Sequence, residues 1–214
     1  MMNPLAPSRP GPNGCRSAPW YGFTLVEMMV VLAVFAILLG IASPSYTSMI
    51  ANMRVRTAAS DFVADLAYAR AQAISLRGRI GVAGAGFASG WTVFRECHDA
   101  NADGACQDAG EAAEIASEVG VLDANDEILR THPALHSSVL VCAKNSAGSN
   151  VVADTITYGG DGRLRVYSAG TEVQNVAGIL FTSPAMSSSG GRKVLLSPAG
   201  RVSVDAAVNP GEGC

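Results

Sequence analysis

Charge is scarce in this sequence, and where it is scarce decides much. Asp, Glu, Lys and Arg make up 15% of the 214 residues against 49% apolar ones, so part of the apolar content must sit somewhere other than an ordinary soluble surface. From Phe23 to Ala42 there is no Lys, Arg, Asp or His, and Glu27 is the single charge. A helix of that length rises about 30 Å, the thickness of a bilayer's hydrocarbon core. From Glu96 to Glu127 the reverse lack holds: ten acids and no Lys or Arg, which argues against a nucleic-acid contact on that segment. Only three histidines occur. His98, His132 and His136 have no metal-type partners at helical spacing, and no Ser or Cys stands in a nucleophile motif, so neither an enzyme nor a small-molecule substrate is expected. The length leaves room for one globular domain and a long helical extension, not for a two-domain enzyme.

What is present begins at the N-terminus. Residues 1–22 carry Arg9 and Arg16 and no acid. An ordinary secretory signal is cut after its apolar run, next to small residues such as Ala42-Ser43, but the residues before this run point elsewhere. The stretch Gly22-Phe23-Thr24-Leu25-Val26-Glu27-Met28-Met29 resembles the prepilin-peptidase recognition sequence of type IV pilins and type II secretion pseudopilins. The resemblance implies a cut between Gly22 and Phe23, methylation of the new Phe23 amine, and a helix that stays in the product. Glu27 fits the same reading on physical grounds. A carboxylate there costs about 2.5–3.5 kcal/mol on membrane-insertion scales and so calls for a partner. The amine of a chain starting at Phe23 is the nearest one, and the resemblance assigns Glu27 to neutralising the terminal amine of an adjacent subunit during assembly. The alternative is a Glu27 solvated in the headgroup region.

Pro44 follows the apolar run, where it bends a helix without ending it. Beyond it Val55, Ala59, Phe62, Leu66, Ala69, Ala73 and Leu76 recur at spacings of four and three, with Arg54, Asp61, Asp65, Arg70 and Arg77 off the stripe. This half should lie against a sheet. Gly78, Gly81, Gly84 and Gly86 end the pattern, and short β-like runs follow at 91–94, 138–141, 155–158, 163–167, 178–181, 193–196 and 201–204. Gly160-Asp161-Gly162 and Ser197-Pro198-Ala199-Gly200 read as tight turns. The expected class is α+β, with a pilin-like long helix packed on an antiparallel sheet. The expected organisation is a leader over 1–22, a helix over 23–77 and a β-rich head over 78–214. The helix divides into a transmembrane or filament-core part, 23–42, and an amphipathic part, 43–77.

Within the pilin-like group, the helix from Ala58 to Leu76, the Gly90-Trp91-Thr92-Val93-Phe94 run and the late Gly200-Arg201-Val202 resemble the GspH/FimT type, the FimT-like side being favoured. The resemblance implies a minor pilin or pseudopilin that sits in the bacterial inner membrane by one pass with its head in the periplasm. Its implied partners are other pilins, the prepilin peptidase and the inner-membrane assembly platform. With the leader and its Cys15 removed, Cys97, Cys106, Cys142 and Cys214 remain. Three pairings are open in an oxidising compartment, of which Cys97 with Cys106 and Cys142 with Cys214 is favoured over free thiols.

Two ligands deserve a test. Some FimT-like proteins bind DNA through a late Gly-Arg-x-Arg motif, but here Gly200-Arg201-Val202-Ser203 lacks the second arginine. Gly162-Arg163-Leu164-Arg165 has the right letters earlier, and Arg192 and Lys193 add two cations; whether Arg163, Arg165, Arg192, Lys193 and Arg201 cluster is a question for the fold. Asp99, Asn101 and Asp103 before Gly104 open like a calcium loop, yet the closing acid falls on Gly110 with Glu111 one place late, so a solvated hairpin tip explains the same residues. No other cofactor is expected.

Overall fold

A computed structural model of the protein describes residues 22–97, 120–124, 126–186, 191–205 and 214, with the side chains of 41–44 left aside. The chain divides into two units, Met1–Ala42 and Ser43–Cys214. Helix α1, Leu25–Leu76, is the long element, and its helical backbone continues through Pro44 as expected of a proline that bends rather than stops. In the first unit every large apolar side chain from Phe23 to Leu39 is more than half exposed. Neither Leu25–Gly40 nor Ser45–Leu76 is by itself long and apolar enough to cross a membrane; as a bent pair they pass on length and composition only.

In the second unit α1 has an Ala-rich sequence suited to a helix, and Ala51, Val55, Ala58, Ala59, Phe62, Leu66, Ala69 and Ala73 form its buried stripe. Two expectations change here. Leu76 is exposed, because the helix ends on it. Asp65, read as part of the polar side, is buried because it has two partners from the sheet, described below. The helix stops with Gly78 donating to the Ala73 carbonyl at 3.2 Å while Arg77 takes the left-handed conformation, φ 51°. That is the Schellman ending, with arginine where glycine is usual.

The head holds β1 Ile80–Ala83, β2 Trp91–Arg95, β3 Glu127–His132, β4 Leu140–Asn145, β5 Asn150–Val151, β6 Thr155–Tyr158, β7 Leu164–Ser168, β8 Thr171–Glu172, β9 Val176–Thr182, β10 Arg192–Leu196 and β11 Val202–Asp205. They form two antiparallel sheets where one was expected, in the orders β3-β2-β1-β6-β7-β8 and β11-β10-β9-β4-β5. Phe62 ties both to the helix. Its ring lies 5.0 Å from Trp91 in the first sheet, 5.5 Å from Phe181 in the second and 5.0 Å from Phe87 in the loop between β1 and β2. Such edge and tilted contacts add to a large burial of aromatic surface.

Both tight turns form where the sequence places them. Gly162 donates to the Gly159 carbonyl at 2.8 Å between β6 and β7, and Gly200 donates to Ser197 at 2.7 Å between β10 and β11. Gly162 (φ 74°) and Gly200 (φ 77°) both use the left-handed region. The turns also touch: a Cβ on Gly200 would strike the Gly162 carbonyl, so glycine is required there by contact as well as by φ.

Candidate assembly site and cationic turns

The first site is the start of α1. Gly22, Phe23 and Thr24 are exposed and precede the first helical turn. Thr24 Oγ1 accepts from the Glu27 backbone N–H at 3.2 Å, and its carbonyl accepts from Met28 at 3.2 Å, so Thr24 is the N-cap and Glu27 stands three residues into the cap. Thr-x-x-Glu is the pattern of a capping box, a signal present in the sequence and not used in its reading. Glu27 is the acid of the first turn. A carboxylate there is favoured by the positive end of the helix dipole, the same end at which a terminal amine would be disfavoured. Glu27 is therefore placed to offset the positive end of the helix dipole.

The second site is the pair of touching turns. Arg163 leaves the first and Arg201 follows the second, and both are exposed. Arg163 lies 3.7 Å from Asp161, whose carboxylate also accepts from the Arg163 backbone N–H at 3.0 Å. Arg165, exposed on β7, shares a groove with Arg79, Asp161, Arg163 and Tyr167. A hydrogen bond with Tyr167 holds its guanidinium above the ordinary value, so it stays charged. Arg79 lies 3.8 Å from Glu96. The touching turns thus set the backbone of Arg201 near that of Arg163, and Arg163 and Arg165 line one groove, among acids that offset part of their charge. The fold does not bring Arg192 and Lys193 there. They open β10, whose far end leads into the Ser197–Gly200 turn, and five extended residues separate the two by on the order of 15 Å.

A third cluster is structural. Asp65 accepts from Trp91 Nε1 at 2.8 Å and from Arg130 Nη1 at 2.6 Å, and Arg130 lies over the Tyr68 ring at 4.4 Å. His132 stacks on Trp91 at 3.9 Å and stands 3.7 Å from Asp61. His136 Nδ1 accepts from the Ser138 backbone N–H at 3.1 Å, which makes it part of a loop. His98, Asp99, Asn101, Asp103 and Cys106 lie outside the described residues, and among those described no group of His, Cys, Asp and Glu is placed to hold a metal ion.

Cys142 and Cys214 are bonded, with Cα atoms 5.7 Å apart, and close a loop of 72 residues. Cys97 is also in a disulfide, with its partner outside the described residues.

Comparison with known proteins completes the description. Residues 58–200 match the family described as Type II transport protein GspH, and residues 21–43 match the prokaryotic N-terminal methylation motif. No curated protein matches the chain. Among solved structures, two crystal forms of the type IV minor pilin FimU of Pseudomonas aeruginosa are similar at 18% identity. One has a TM-score of 0.41 over 71% of this chain and 87% of that one, the other 0.40 over 70% and 91%. The GspH match covers most of the chain and the methylation motif falls on the capped start of α1: this protein belongs to the GspH family and carries the prokaryotic N-terminal methylation motif.

Proposed function

We propose that the chain is a minor subunit of a type IV pilus-like filament, cut by a prepilin peptidase between Gly22 and Phe23 and methylated on the Phe23 amine. The apolar stretch 23–42 holds it in the inner membrane by one pass with the head in the periplasm. An inner-membrane assembly platform then moves it into the filament, where it contacts other pilins. The observation that carries this reading is the capped helix start. Thr24 fixes the first turn immediately after Gly22-Phe23, Glu27 stands where it can neutralise an amine, and an apolar surface exposed on every side follows. Such a surface requires lipid or neighbouring helices.

The test is recovery of sheared filaments from cells expressing the full chain. The mature chain is expected among the filament proteins, and Glu27→Ala is expected in the membrane, processed, and depleted from filaments at least tenfold. Equal incorporation of the variant contradicts the role of Glu27. The family description favours a second setting, a type II secretion pseudopilus. Deleting the gene then abolishes export of secreted enzymes and leaves surface pili intact. DNA contact by Arg163, Arg165 and Arg201 is a further reading, supported by the touching turns. It predicts binding that falls steeply with salt and is lost in the triple Ala variant.

A further inference from the structure

The point at which α1 begins is set by one side chain. In a helix running one residue further back, the Glu27 N–H would donate to the Phe23 carbonyl, and with one more residue the Val26 N–H would donate to the Gly22 carbonyl. Neither bond is formed. The Glu27 N–H goes to Thr24 Oγ1 at 3.2 Å, the Met28 N–H goes to the Thr24 carbonyl at 3.2 Å, and the helix opens on Leu25. The Thr24 hydroxyl therefore competes directly with growth of the helix across Phe23.

That competition bears on the bond between Gly22 and Phe23. A peptide group inside a helix has its carbonyl and N–H engaged, whereas a peptidase needs backbone that it can bind. Gly22 and Phe23 are exposed and outside the helix, and a Cβ on Gly22 would meet no described atom within 4 Å. The bond is open, although Thr24 alone separates Phe23 from the first helical residue. At the edge of a bilayer an N–H left without an acceptor is costly. Without the hydroxyl, the Glu27 N–H regains an acceptor by helix growth onto Phe23. The next bond of that ladder engages the Gly22 carbonyl, at which the proposed cut is made.

We propose that Thr24 is a positioning residue for cleavage: its hydroxyl ends the helix short of the Gly22–Phe23 bond and keeps that bond open to the peptidase. This rests on the cleavage reading given above and adds to it the group that holds the substrate backbone in a cleavable form. Thr24 takes no part in the chemistry. Hydrolysis adds water across the Gly22–Phe23 bond and leaves a carboxylate on Gly22 and an amine on Phe23. The role belongs to the cap and not to threonine as such. Ser and Asn cap a helix at least as well, whereas Val has the shape of Thr without the acceptor.

The experiment follows processing of the full chain by pulse-chase in cells that carry a prepilin peptidase. The parent is compared with Thr24→Val, Thr24→Ala, Thr24→Ser and Thr24→Asn, each scored in the membrane fraction and with its mature N-terminus mapped. A cap of this kind biases the helix boundary by about fivefold, so precursor of the Val and Ala variants is expected to disappear about fivefold more slowly than the parent's. The Ser and Asn variants are expected to keep the parent rate. Processing of Thr24→Val at the parent rate overturns the proposal. Slow processing of either Thr24→Ser or Thr24→Asn overturns it as well, because the peptidase then reads the threonine side chain itself. In both cases a parent product that begins at Phe23 leaves the cleavage reading standing. A parent product with any other N-terminus overturns both.

Discussion

The two parts of α1 use apolar residues in opposite ways. From Val55 to Ala73 the helix presents one stripe, and the head covers it so completely that Val55, Phe62, Leu66, Ala69 and Ala73 are fully buried. From Phe23 to Leu39 its large apolar side chains are exposed, and none of the described residues covers them. One part completes its burial within the molecule, and the other depends on surroundings the molecule does not contain. Stability is therefore a property of the head, while under the proposed function location and assembly are properties of the first part. The two should respond to mutation independently.

The largest effect belongs to the first part. Gly22→Val, which puts a bulky residue at the proposed cleavage position, is expected to leave essentially all the chain as unprocessed precursor on a gel while the head folds normally. If processing is unaffected, the two parts are not divided as described.

The head should break without touching processing. Phe62→Ala removes the ring shared by both sheets and is expected to cost about 3–5 kcal/mol, read as a fall in the denaturant midpoint. Cys142→Ser with Cys214→Ser reopens the 72-residue loop and should cost about 4 kcal/mol on loop-closure arguments. Asp65→Ala leaves the buried Trp91 N–H without its acceptor and is expected to cost about 1–3 kcal/mol. The smallest effect is a gain. Arg77→Gly relieves the left-handed residue at the helix end and is expected to add on the order of 0.5–1 kcal/mol, measured by thermal melting.

How legible this division is in the sequence follows from particular residues. The apolar start can be read directly, because lack of charge over a bilayer's length needs no tertiary context. Strands such as Thr155–Tyr158 and Arg192–Leu196 are legible because turn residues bound them. β1 is not, since Gly81 and Gly84 read as breakers. Gly81 is instead required by packing, because the Phe94 ring lies where its Cβ would be. β3 lies at a sheet edge with most of its residues exposed, and so shows no alternation. Asp65 reads as a surface acid because its partners, Trp91 and Arg130, are 26 and 65 residues away. The turns that bring Arg163 near Arg201 can each be read, but their contact cannot. The split of the head into two sheets is likewise set by pairings between distant strands, such as β4 with β9.

The most direct measurement of the central claim is intact-mass and N-terminal peptide analysis of the chain recovered from membranes and filaments. The expected product begins at Phe23 with a methylated amine and retains Glu27 and the apolar helix. A product that begins after Ala42, with the helix removed, or one that keeps residues 1–22, would contradict it.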